Sequence, residues 1–125
     1  MKRIYRLRRG RDFRRLRHTG RVYVHPLLVL RVAANDLPLV RMGVTAGRKV
    51  GTAVVRNKVK RRLREILRAR LPHLPPGYDL WWIARPRAAR ASFAALQDAV
   101  DALLQQAGLT ASPASPNPGR EEGSP

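Results

Sequence analysis

The stretch Arg41-Met42-Gly43-Val44-Thr45-Ala46-Gly47-Arg48-Lys49-Val50-Gly51-Thr52-Ala53-Val54-Val55-Arg56-Asn57-Lys58-Val59-Lys60-Arg61 decides the architecture, because it changes period halfway along. Leu39 to Ala46 reads as a strand. Gly47 to Gly51 is a basic loop bracketed by glycines. A helix then runs from Ala53 to Leu71, where Pro72, Pro75 and Pro76 stop it. With Asn57 set at zero and 100° per residue, Arg61, Arg64 and Arg68 fall within about 40° of it. Val55, Val59, Leu63 and Ile66 gather on the opposite half, and Arg56 and Lys60 sit at the border. One helix therefore offers an aliphatic face to a core and a guanidinium stripe to solvent.

Upstream, a short helix is expected from Asp12 to His18, with Asp12 as its cap, Phe13 and Leu16 on one face and Gly20 at its exit. Leu27 to Ala34 reads as a strand, with Val22 to Val24 as a short lead-in. Asn35-Asp36-Leu37-Pro38 is turn chemistry, which makes Leu39 to Ala46 the hairpin partner of the preceding strand. Downstream, Tyr78 to Ala84 is a strongly apolar strand ended by Arg85-Pro86, with Trp81 and Trp82 on opposite faces. Ser92 caps a last helix whose Phe93, Leu96, Val100, Leu103, Leu104 and Ala107 share a side, closing at Gly108. The fold class is α+β, helices packed on a small sheet. A single nucleic-acid-binding domain spans 1–109, with residues 1–9 either part of it or a flexible basic arm. Residues 110–125 have almost nothing to bury and read as a disordered tail.

Twenty-six Lys and Arg against eight Asp and Glu give a net charge of +18 and a pI near 11.9. Residues 1–24 hold ten basic groups and one acid, Asp12; residues 48–70 hold ten more and one acid, Glu65. A surface helix ordinarily mixes signs at i,i+4 spacing, which offsets repulsion. Here the stacked like charges call for a polyanion, and nucleic acid is the common one. A membrane surface is the rival, yet no apolar run approaches the roughly 20 residues of a spanning helix, and no signal peptide is evident. Composition does not separate RNA from DNA firmly. No zinc-finger, zipper or helix-turn-helix spacing accompanies the helix, and Phe13 and Tyr23 are candidates to stack unpaired bases as well as for the core. The absence of Cys excludes disulfides and cysteine-based zinc sites and suits a reducing cytoplasm.

Phosphodiester hydrolysis by protein groups requires carboxylates holding metal, or a histidine pair. The acids Asp12, Asp36, Glu65, Asp79, Asp98, Asp101, Glu121 and Glu122 are scattered, and His18, His25 and His73 show no ligand spacing. Asp98 and Asp101, one turn apart, read as surface solvation. A self-contained nuclease is therefore not expected: no catalytic residue and no metal ligand is assigned to this chain.

The stretch from Arg41 to Arg61, continued by Arg62-Leu63-Arg64-Glu65, resembles the ribonuclease P protein family. The likeness lies in Gly, a basic pair, an aliphatic residue and Gly, then Ala-Val, and Arg-Asn-Lys opening the basic helix. More loosely it runs from residue 5 to 109, through Asp12-Phe13, His18-Thr19-Gly20 and Tyr78-Asp79. The resemblance implies the fold of the second domain of a small-subunit ribosomal protein, with the basic helix crossing between parallel strands by a left-handed connection. It implies a protein subunit of an endoribonuclease whose catalytic groups belong to the RNA, with Mg2+ bound mainly by that RNA. Its partners would be ribonuclease P RNA and precursor tRNA, one copy of the chain per RNA, with no membrane. Arg48, Lys49, Arg56, Asn57, Lys58, Lys60, Arg61, Arg62, Arg64 and Arg68 would face the catalytic RNA. Phe13, Arg17 and Tyr23 would form the cleft for the 5′ leader of the precursor. Arg17 stands where the family often has a second aromatic, and Lys58 where it more often has Arg, which keeps charge but loses the fork geometry.

Overall fold

The computed structural model describes residues 6, 7 and 10–109; the expected arm over 1–9 falls, apart from residues 6 and 7, outside the described residues, as does the expected tail over 110–125. Its elements are α1 (Gly10–Thr19), β1 (Arg21–Val24), β2 (Leu28–Ala34), β3 (Arg41–Ala46), α2 (Ala53–Arg70), β4 (Tyr78–Ala84) and α3 (Phe93–Gln106), with short 3-10 turns at Arg48–Val50, Leu71–His73 and Pro86–Arg90. The sheet order is β1-β2-β4-β3. β1 and β2 are antiparallel, as are β2 and β4, while β3 and β4 run parallel. α2 makes the crossover between the parallel pair.

The expected hairpin between the second and third strands does not form, because β4 inserts between them. The Asn35 and Gly77 N–H groups donate to the carbonyls of Gly77 and Leu39 at 2.9 Å each, so the chain entering β4 is gripped by both ends of the β2–β3 connection. β4 is the strand with most to gain from a central place: Leu80, Trp81, Trp82 and Ala84 are all buried. Only a strand covered on both faces and paired at both edges can bury such a run. The turn chemistry at Asn35 is real but serves a wider connection. The Asn35 Oδ1 accepts from the Leu37 N–H at 2.8 Å, and Asp36 sits at φ 58°.

Alternation along the strands gives the sheet two unequal faces. On one, Leu28, Leu30, Val32, Met42, Leu80 and Trp82 meet Val59, Leu63, Ile66 and Leu67 of α2 and Leu96, Val100, Leu103 and Leu104 of α3 in the main core. Thr52 caps α2, its Oγ1 accepting from the Val55 N–H at 3.3 Å, and Ser92 caps α3, its Oγ accepting from the Ala95 N–H at 3.0 Å. Asp101 is more than a solvated acid: its carboxylate takes a two-pronged bond from Arg70 at 2.7 and 3.0 Å, tying α3 to α2 and holding the Arg70 guanidinium above its usual pKa despite partial burial.

On the other face α1 packs Leu16 and Phe13 against Trp81, and Leu7, just before the helix, joins the same cluster. α1 starts at Gly10, so Asp12 lies in its first turn and is not the cap expected from sequence. Asp79 fixes the position of this helix. Its side chain has 0% exposure, yet both oxygens are occupied. Arg41 donates to it through Nε at 2.9 Å and Nη2 at 2.7 Å, Asn35 Nδ2 donates at 2.9 Å, and Arg15 of α1 donates through Nη2. The hydrogen bonds to Asp79 hold the Arg41 guanidinium above its usual pKa, outweighing the partial burial that opposes them; the charges of Asp79 and Asp12 act in the same direction. Arg15 also donates to the Ala34 carbonyl at 2.9 Å.

Removing one member of a buried ion pair strands the other and costs about 3–5 kcal/mol. Asp79→Ala should fall at the low end, about 3 kcal/mol, because Arg15 and Arg41 keep 37% and 23% side-chain exposure. Urea unfolding measures this directly; a loss under about 1 kcal/mol would rank the cluster with surface ion pairs. Gly43→Ala tests the seat of α1. A Cβ there would stand 2.8 Å from Phe13 Cε1 and 2.9 Å from its Cζ, and overpacking of this kind costs about 1–3 kcal/mol. A wild-type melting temperature in that variant would show that Phe13 does not rest on the sheet as described.

Candidate nucleic-acid interface

Two surfaces collect the residues singled out from sequence. The first is α2 with the loop before it. In that loop Val50 is buried and pins the turn, which leaves Arg48 and Lys49 exposed. Gly51 makes the tight entry to the helix possible: its φ is +153°, and a Cβ there would lie 2.9 Å from Val55 Cγ1. Along α2, Asn57, Lys58, Arg61 and Arg68 are exposed, while Arg56, Lys60, Arg62 and Arg64 are half-buried on the flanks. The expected stripe is therefore present, with two kinds of member. Arg62 is tethered, donating to the Ala91 carbonyl at 3.3 Å. Arg64 is crowded: burial lowers its pKa first, and the neighbouring charge of Arg6 lowers it further. Among the described residues Arg70 is the one cation of α2 in an ion pair. The Nε of Arg56 is buried without a protein partner.

The second surface is the sheet face under α1. The register aligns three rows across the strands. Val24, Val29, Ile83 and Thr45 form the first; Val22, Arg31, Trp81 and Gly43 the second; Ala33, Asp79 and Arg41 the third. α1 sits over the second and third. Phe13 meets Trp81 edge-on, with centroids 4.9 Å apart and planes at 74°. The Arg17 guanidinium lies 5.3 Å over the same indole, whose Nε1 donates to Thr45 Oγ1 at 2.9 Å. Arg31 Nη1 reaches the Arg17 carbonyl at 3.3 Å. The first row borders this cluster, with Ile83 packed against it, and toward the β1 edge Val22 and Val24 are 44% and 56% exposed. The result is an open groove with an apolar floor, an aromatic pair at one wall and guanidiniums along its rim.

Phe13 and Arg17 thus come together as the sequence suggested. Tyr23 does not join them: it pairs with Leu30 and packs on the main core, through the opposite face of the sheet. Trp81 takes the place beside Phe13. Sequence alternation had already put Trp81 and Trp82 on opposite faces, and Trp82 is the one fully enclosed in the main core. Arg6 beside Arg64 went unnoticed in sequence, since 58 residues separate them and only the bridge of Arg6 to Met42 at the sheet edge brings them together.

Among the described residues no group of three or more His, Asp or Glu side chains is placed to hold a metal ion. Nor is any helix there long and apolar enough to cross a membrane.

The family model described as ribonuclease P matches residues 1–108. The ribonuclease P protein component of Chloroflexus aurantiacus is 45% identical over 99% of both chains, and that of Herpetosiphon aurantiacus is 46% identical over 87% of this chain and 89% of its own. Among solved structures, the Staphylococcus aureus RNase P protein superposes with a TM-score of 0.79 at 28% identity, covering 85% of this chain and 97% of its own. The Thermotoga maritima RNase P protein does so with a TM-score of 0.71 at 31% identity, covering 78% and 94%. With its sheet, its crossover helix and nearly its whole length so matched, the chain belongs to the ribonuclease P protein family.

Proposed function

We propose that this chain is the protein subunit of ribonuclease P, binding the catalytic RNA and the 5′ leader of precursor tRNA and assisting removal of that leader. The observation that carries the reading is the cationic surface of α2 and its loop, which apart from Arg70 has no carboxylate partner among the described residues, on a chain of this family. Exposed guanidiniums without carboxylate partners suit a phosphate backbone: each neutralised phosphate releases counterions and makes binding steeper in salt. Arg48, Lys49, Asn57, Lys58, Arg61 and Arg68 are free to reach RNA. Arg64, whose charge is opposed by burial and by the charge of Arg6, gains most from a phosphate beside it. Arg56, Lys60 and Arg62 line the flanks.

The groove suits a single strand. Unpaired bases stack on aromatic faces at a gain of about 1–3 kcal/mol each, and Phe13 and Arg17, backed by the buried Trp81, offer such a platform beside an apolar floor. A leader held there makes precursor bind better than mature product. The cytoplasm, where such precursors meet the enzyme, is the natural compartment. Among the described residues no donor set suits a catalytic metal, and on this reading Mg2+ is assigned to the RNA and no chemical step to the protein. What the chain contributes is charge compensation between two RNAs and a hold on the leader.

Three outcomes follow. In single-turnover assays at low magnesium, the chain should restore cleavage of a 5′-extended tRNA precursor by a bacterial ribonuclease P RNA, and should not cleave alone. Binding without restored cleavage would instead favour a non-catalytic, ribosomal-type RNA binder. Replacing Arg61, Arg64 and Arg68 together by Ala should flatten the plot of log affinity against log salt by roughly two units; an unchanged slope would remove α2 from the interface. Phe13→Ala should weaken precursor binding about fivefold or more while sparing mature tRNA, and an equal loss for both would show that Phe13 serves only to seat α1.

A further inference from the structure

Arg87 and Arg90 belong to neither surface described above. They lie in the turn Pro86–Arg90 that follows β4, and both are exposed. Among the described residues no carboxylate approaches either within 4.0 Å. With Leu27, Ala91, Ser92 and Ala95 they line a concavity of ≈ 550 Å³. Its floor is small and apolar, its walls are guanidiniums, and that volume lies within the range of small-ligand sites.

The surroundings of this concavity are built, not incidental. The Arg85 N–H donates to the Leu27 carbonyl at 2.9 Å, and Arg85 Nη1 donates to the His25 carbonyl at 3.1 Å, which locks the β1–β2 turn against the end of β4. The Arg62 bond to the Ala91 carbonyl fixes the opposite side to α2. Ser92 already caps α3, so recognition falls to the arginine side chains. The turn carrying Arg87 and Arg90 packs against both the Arg48–Val50 turn and α2. Two stretches far apart in sequence, the Arg48 loop running into α2 and the turn after β4, therefore bring Arg48, Lys49, Arg62, Arg87 and Arg90 to one end of the sheet, beyond the carboxyl ends of the parallel strands β3 and β4. Asp98, the nearest acid along α3, lies one turn past Ala95 and is not among the lining residues.

We infer that this concavity is an RNA site that takes one unpaired nucleotide, with Arg87 and Arg90 on its phosphates and the base against Leu27, Ala91 and Ala95. The inference rests on the RNA-binding role proposed above and extends the cationic surface of α2 past the loop to a third chain segment. A nucleotide of the catalytic RNA and one of the precursor share this chemistry, and the two are separable by experiment.

The test uses the full chain with Arg87→Ala and Arg90→Ala combined. Affinity is measured against salt in two arms: for a bacterial ribonuclease P RNA alone, and for precursor tRNA added to the assembled particle. Losing two phosphate contacts should flatten the salt plot by roughly 1.4 units at single-stranded RNA in one arm, and that arm identifies which RNA supplies the nucleotide. The paired Lys substitutions, which keep the charge, should retain the slope. Unchanged slopes in both arms for the Ala pair overturn the site, as does an equal loss in the Lys pair, which would mark a structural role. The Arg61, Arg64 and Arg68 replacement is run alongside. If it flattens the slope and the Arg87 and Arg90 pair does not, only the nucleotide site fails; if neither does, the RNA-binding reading fails with it.

Discussion

A carboxylate with no access to water persists only where cations and donors occupy its lone pairs, and this fold is arranged around one such group. Asp79 stands near the start of the central strand and draws on three other parts of the chain: Arg15 from α1, Asn35 from the β2–β3 connection and Arg41 from β3. None of these donors is optional once the carboxylate is buried, because leaving it short of partners costs more than the pairing gains. The same cluster therefore fixes which strand lies between β2 and β3, and it fixes the helix that walls the groove. Phe13 and Arg17, on the same helix as Arg15, reach Trp81 because that helix is held over Asp79 and not over the row of Val24, Val29, Ile83 and Thr45.

The few acids are placed with a clear division of labour. Asp12 and Asp79 meet Arg41, Asp79 also meets Arg15, and Asp101 meets Arg70. Each of those arginines joins one element to another. The guanidiniums on the outer side of α2, and those after β4, are left without such partners among the described residues. A net charge of +18 on a chain of 125 residues opposes compaction. The repulsion is concentrated on the surfaces proposed above for RNA, and a polyanion bound there would also relieve the strain of folding so basic a chain.

Local punctuation made much of this legible in sequence. α2 ends within one residue of its expected limit because the prolines from Pro72 mark its end, and the helical wheel found Val59, Leu63 and Ile66. Leu67 escaped the wheel because α2 packs on β3 as well as on α3, which widens the buried arc. Strand order was not legible from residue pattern, since Asn35-Asp36 has the chemistry of a tight turn whether or not another strand intervenes; only the resemblance pointed to parallel strands. Asp79 looked like one scattered acid because its three partners lie 64, 44 and 38 residues away. Tyr23 was grouped with Phe13 as an aromatic, but the face a strand residue takes depends on register, and register is set by pairing partners that no local window contains.

The central place of β4 has a consequence for how the chain is made. Synthesis runs from the amino end, and the strand that must lie in the middle of the sheet emerges after every strand it separates. Until Ala84 has left the ribosome, β2 and β3 each present a bare edge, and β3 has no strand to pair with. Non-local parallel pairing is intrinsically slow, because the intervening loop must close before the contacts reward it. The nascent chain thus passes through a period when its apolar strands are unpaired and its most basic helix is already complete.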